Sequence, residues 1–136
     1  MKSFCCAVLL ALTPSFAAAA DFALTLEGKG LREYYCTITV SLTNNSDAPL
    51  TEISGYFLSY VGEERVGRSK GTWFMNVAPG EGQQKVFETP NAPCDEVTRY
   101  DFIIGACRLG TGFEDVSVCA ERLELNAPLS AAEPFS

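Results

Sequence analysis

YYCTITVSLT, residues 34–43, decides the fold of this chain. Tyr34, Cys36, Ile38, Val40 and Leu42 alternate with Tyr35, Thr37, Thr39, Ser41 and Thr43. A period of two, rich in β-branched residues, is the pattern of a half-buried β-strand, one face apolar and one polar. The same period continues outward on both sides. Before it, Phe22, Leu24 and Leu26 alternate within residues 21–27, and Gly28-Lys29-Gly30 supplies a turn. After it, Asn44-Asn45-Ser46-Asp47-Ala48-Pro49 is a dense turn cluster.

Further strands are predicted over residues 50–61, 65–77, 83–89, 97–107 and 116–125, although residues 120–125 also suit one helical turn. Gly62-Glu63-Glu64 and Ala78-Pro79-Gly80-Glu81-Gly82 punctuate them. On residues 97–107, Tyr100, Phe102, Ile104 and Ala106 share a face. Seven short strands at this spacing predict an all-β, antiparallel immunoglobulin-like sandwich, with a small barrel as the other architecture of that pattern. Its bounds are 21–126, and residues 127–136, with two prolines and no pattern, are expected to be a disordered tail.

The first twenty residues have the build of a secretory signal peptide: Lys2, an apolar run from Phe4 to Leu12, Pro14, then Ala18-Ala19-Ala20. Cleavage after Ala20 fits the small-x-small rule, and cleavage after Ala19 is next best. Cys5 and Cys6 go with the signal. Loss of Lys2 leaves nine basic against 17 acidic residues, a net charge of −8. An acidic surface disfavours nucleic acid and anionic lipid, and no later segment has the apolar length to cross a bilayer. The expected location is periplasmic or secreted.

Export places Cys36, Cys94, Cys107 and Cys119 where paired thiols become structural. With strands alternating up and down, Cys36 and Cys94 fall at one end of the domain and Cys107 and Cys119 at the other. That order favours Cys36–Cys94 with Cys107–Cys119. The rival is Cys36–Cys107, the inter-sheet bridge of immunoglobulin domains, with Cys94–Cys119 left over.

The chain has no histidine. That removes Ser-His-Asp and Cys-His nucleophilic catalysis and most zinc, copper and haem ligation. Glu63-Glu64 and Glu114-Asp115 are adjacent, so on a strand their side chains diverge and form no carboxylate dyad. No catalytic residue, cofactor or metal is expected. Asn44-Asn45-Ser46 matches the N-glycosylation pattern and equally a hairpin turn, and the turn is preferred. Trp73-Phe74-Met75 must leave at least one large side chain facing away from the core if their strand is regular. Such a cluster marks either a binding face or a core residue under a loop.

The stretch from Tyr35 to Phe87 resembles bacterial extracytoplasmic immunoglobulin-like domains of the FxLYD kind. The residues that carry it are Thr37 to Ser46, Leu50 opening a strand, Tyr56 to Tyr60, Val77 to Glu81, and Lys85 to Phe87. Tyr56 and Leu58 stand in the aromatic and leucine positions of the signature, while Ser59 and Tyr60 replace its tyrosine and aspartate. The whole layout is also similar to small four-cysteine exported proteins of proteobacterial type. The resemblance implies a fold and no activity. A fainter similarity, Ser54-Gly55-Tyr56 followed by Ser69-Lys70-Gly71, is to periplasmic inhibitors of c-type lysozyme.

The expectation is therefore an exported, non-catalytic binding or accessory module of the cell envelope with a protein partner. Tyr56, Tyr60, Trp73, Phe74 and Met75 are its candidate partner-binding residues. The alternative is a periplasmic inhibitor of a lysozyme-like hydrolase, acting through Ser54, Tyr56, Lys70 and Glu63 or Glu64, with its acidic surface steering it to a basic enzyme.

Overall fold

The computed structural model describes residues 20–131. Residues 1–19, which hold most of the expected signal peptide, and the last five residues lie outside them. The strand that decides the fold is β2 (Tyr35–Asn44). Cys36, Ile38, Val40 and Leu42 are buried, as the alternation predicts. Tyr34 is not part of that face; it sits 95% exposed in the turn between β1 and β2. β1 (Phe22–Arg32) runs on through Gly28 and Gly30 rather than turning there. It reverses at Glu33, which takes a positive φ of 57°.

The chain continues with β3 (Leu50–Val61), β4 (Glu64–Arg68), β5 (Thr72–Val77), β6 (Gly82–Thr89), β7 (Arg99–Leu109), β8 (Gly112–Glu114), α1 (Val116–Arg122), β9 (Leu123–Leu125) and β10 (Leu129–Ala131). The expected strand over residues 65–77 is two strands, split at Ser69-Lys70-Gly71, both pairing with β3. The expected last strand is instead a helix followed by β9. Asp115 caps that helix, its Oδ1 accepting from the Ser117 amide at 2.9 Å. The tail expected to be disordered from residue 127 is ordered at least to Ala131, because Leu129 is buried and β10 pairs parallel with β7.

Two sheets form a sandwich. One is ordered β6-β2-β1-β9, the other β10-β7-β3-β4, with β5 also on β3 and β8 on β7. The runs β6-β2-β1 and β7-β3-β4 match the E-B-A and F-C-C′ neighbours of immunoglobulin sheets. Phe22, Leu24, Ile38, Val40 and Leu42 of the first sheet face Ile53, Phe57, Phe74, Tyr100 and Phe102 of the second. Phe57 sits among them, edge-on to Phe87 at 4.7 Å and tilted against Phe102 at 4.9 Å. Each such aromatic pair adds about 1 kcal/mol beyond the area it buries. Gly55 allows β3 and β7 to approach: a Cβ there would lie 2.0 Å from the Ile103 carbonyl oxygen.

Four one-residue bulges interrupt the alternation, at Glu27, Thr51, Val66 and Gly105. Each moves the residues beyond it to the other face. This is why Leu50 and Ile53 are both buried, and why Cys107 is buried and Ala106 is not among the core residues.

Both disulfides follow the end-to-end order of the strands. Cys36 at the start of β2 joins Cys94 in the loop before β7, with a Cα–Cα distance of 5.3 Å. Cys107 near the end of β7 joins Cys119 in α1 at 6.3 Å. Lys29 supports the first, its Nζ donating to the carbonyls of Cys94 at 3.3 Å and Val97 at 3.0 Å. Asn44 closes the opposite end of β2. Fully buried, its Nδ2 donates to the carbonyls of Ala48 (2.9 Å) and Val77 (3.0 Å), and its Oδ1 accepts from the Ser46 amide (2.9 Å) and hydroxyl (2.6 Å). The Asn-x-Ser triplet is thus the corner of a turn, and Nδ2, the atom a glycan would modify, is enclosed.

Candidate functional site

β3 presents alternate residues to opposite sides of the second sheet. Ile53, Gly55, Phe57 and Ser59 face the core; Ser54, Tyr56, Leu58 and Tyr60 face outward. Register fixes what surrounds them. Trp73 pairs with Ser54, Met75 with Glu52, Ile103 with Tyr56, Arg68 and Asp101 with Leu58, and Arg65 and Arg99 with Tyr60. Residues directly opposite in a ladder share a face. Four of the five candidate residues, Tyr56, Tyr60, Trp73 and Met75, therefore lie on one outer surface. The fifth, Phe74, does not: it points inward, 1% exposed, and packs with Phe87. Of the three consecutive large side chains, the flanking two face out because the middle one faces the core.

Trp73 is 53% exposed. Arginines organise the aromatic rings. The Arg68 guanidinium lies 3.9 Å from the centre of the Tyr56 ring, and that of Arg99 4.2 Å from the Tyr60 ring. Stacking a weakly hydrated guanidinium on a ring is worth about 0.5–1 kcal/mol at an exposed site. Arg99 is also held by Asp101, Nε to Oδ1 at 2.9 Å, and Asp101 takes a second hydrogen bond from the Ser130 hydroxyl at 2.7 Å. Arg108 lies 3.8 Å from Glu52. Among the described residues, Arg65 and Arg68 have no carboxylate partner. With Tyr56, Leu58, Val66 and Gly67 they line a cleft of about 350 Å³.

Sequence reading missed this arginine pair. Residues three apart on a regular strand face opposite ways, so no alternation pointed to Arg65 and Arg68 together. The bulge at Val66 puts both on the outer face.

The residues proposed for hydrolase inhibition do not converge. Ser54 and Tyr56 are on the outer face, but Gly55 is wedged between β3 and β7. Ser69 is buried, its hydroxyl accepting from the Phe57 amide at 2.8 Å. Lys70 is bound 2.7 Å from Glu88 of the other sheet, and that hydrogen bond raises the lysine pKa and lowers the glutamate's. Glu63 stands at the β3–β4 turn, 4.0 Å from Arg99. Asp115 of the other acidic pair is engaged as the helix cap, and its bonds to Ser117 hold its pKa below the ordinary value.

A second exposed apolar group is the β1–β2 hairpin tip, with Leu31 75% and Tyr35 42% exposed beside Tyr34. Compared with protein-family models, curated proteins and solved structures, the chain matches none of them. The two disulfides are bonds of an oxidising compartment. No helix among the described residues is long and apolar enough to cross a membrane.

Proposed function

We propose that this protein is an exported, non-catalytic binding or accessory module of the cell envelope, periplasmic or released further outside. It presents the outer face of its six-stranded sheet to a partner protein. The observation that carries this reading is the shared outward placement of Tyr56, Tyr60, Trp73 and Met75, with Trp73 half exposed. Aromatic side chains and arginine are the residues enriched at the energetic centres of protein interfaces. The arginine stacking also holds Tyr56 and Tyr60 in place before a partner arrives, which lowers the entropy lost on binding. The same reading takes the chain as an immunoglobulin-like domain of the FxLYD kind, supported by the neighbour order of its central strands. Hydrolase inhibition draws less support, because Ser69 is buried within the fold and bound to the Phe57 amide.

The test is photo-crosslinking in the producing cell. A benzophenone amino acid at position 60 or 73 should give a discrete protein adduct, and the same group at position 39 or 43, on the outer face of the other sheet, should give none. Equal labelling from both faces, or no adduct from either, would overturn the assignment.

A further inference from the structure

The cleft beside Tyr56 narrows the chemistry of the partner. The chain has 17 acidic against 10 basic residues, and Arg99 and Arg108 on the same outer face both have carboxylate partners. Arg65 and Arg68, the two that line the cleft, have none among the described residues. The Arg68 guanidinium carbon lies 3.9 Å from the centre of the Tyr56 ring, a contact that restrains the side chain without using its N–H donors. A planar fork held this way matches a carboxylate, which it binds through two parallel hydrogen bonds. Leu58 and Val66 give the cleft an apolar floor. The cleft also borders an edge: β4 ends its sheet, so one side of its backbone pairs with no strand among the described residues. An extended peptide added there would place alternate side chains over the outer face.

We infer that β4 and the Arg65–Arg68 cleft bind an extended acidic peptide segment of the partner, with carboxylates alternating with aliphatic residues. The inference rests on the binding-module reading and specifies the ligand of that same face. Carboxylates reach Arg65 and Arg68, aliphatic groups cover Leu58 and Val66, and the peptide backbone completes the edge of β4.

The test is a titration of the isotope-labelled, oxidised protein, followed by backbone amide shifts. The probe is a capped heptapeptide alternating glutamate with valine; the control alternates lysine with valine. The glutamate peptide should shift the amides of Glu64–Arg68 saturably, and binding should weaken as salt is raised. Arg68→Ala should weaken binding about tenfold or more, as expected for loss of a charge-assisted pair. Arg68→Lys, which keeps the charge and loses the fork, should fall between, and its unchanged spectrum elsewhere verifies the fold. Failure of the glutamate peptide to bind, equal binding of the lysine peptide, or wild-type affinity in Arg68→Ala would each overturn the inference. So would β4 shifts that follow protein concentration alone, which would mark a contact between copies of this chain. Crosslinking at positions 60 and 73 reports separately: adducts there without peptide binding would remove the acidic ligand and keep the face.

Discussion

The two sheets share one core and differ on their outer faces. Outside the four-stranded sheet stand Thr25, Thr37, Thr39, Ser41, Thr43 and Gln84, small or polar, with Val86 beside Thr39 as the one large apolar exception among them. Thr37 donates to the Gly30 carbonyl at 3.2 Å, Gln84 to the Ser41 hydroxyl at 3.3 Å, and Asn126 to the Thr25 hydroxyl at 2.8 Å. Outside the six-stranded sheet stand Tyr56, Tyr60, Trp73, Met75 and four arginines. The first face is what a solvated strand surface requires, with β-branched hydroxyl residues suiting the pleat. The second carries a cluster of aromatic rings, two of them against arginines, and two arginines without carboxylate partners among the described residues, neither of which folding requires. The difference shows where this molecule departs from the needs of stability, and such departures are where function is sought.

The largest expected effect separates the ends that staple each sheet. Replacing Cys36 and Cys94 by serine removes a crosslink spanning 58 residues, and replacing Cys107 and Cys119 removes one spanning 12. In the chain-entropy description these cost about 4 and about 3 kcal/mol. Chemical denaturation should therefore rank the bridge on the four-stranded sheet as the more stabilising; the reverse order would break the comparison at its base. Next comes a contrast within one strand. Phe74→Ala should cost about 3–4 kcal/mol, as an enclosed aromatic does, while Trp73→Ser should cost under about 1 kcal/mol. Equal costs would mean that Trp73 belongs to the core and that the outer face has lost its centre.

A smaller effect is set by pH. Tyr100 faces the core with no hydrogen-bond partner for its hydroxyl among the described residues, and burial pushes its pKa up from 10.0 to about 12. A raised pKa means that the unfolded chain ionises first. The stabilisation is whole below about pH 10 and is lost as pH rises toward 12. Stability measured over that window should fall in the native protein and fall less in Tyr100→Phe. Parallel curves would place the alkaline sensitivity elsewhere. Smallest of all, Thr39→Ala on the hydroxyl face should change stability by no more than about 0.5 kcal/mol and leave any partner adduct intact. A loss of binding there would dissolve the distinction between the faces.

Much of the sandwich was legible in the alternation of β2 and β3, and the disulfide pairing in the alternating ends of the strands. What escaped has identifiable physical causes. Gly28-Lys29-Gly30 has the composition of a turn although β1 runs through it, and the bulge at Gly105 resets the phase without a composition signal, which turns Ala106 away from the face of Phe102. Helix α1 is two turns held by a cap and a disulfide, too short for a helical period to show. β10 is three residues that become a strand only against β7. Of the candidate face, the run Trp73-Phe74-Met75 showed that at least one large side chain had to point outward, but not that Phe74 would be the one to point in. The arginines beside Tyr56 and Tyr60 were not legible, because Arg65 and Arg68 share a face only through a backbone irregularity.

The enclosed amide of Asn44 makes two events exclusive in time. A sugar on Nδ2 would replace a proton that ties β2 to the Val77 carbonyl, and would need room where Asn44 is 0% exposed. A chain modified before it folds cannot close this corner, and a folded chain cannot be modified. In a host that glycosylates proteins during export, yield would be set by a race between the transferase and the closing turn. In a host that does not, the triplet is only a corner.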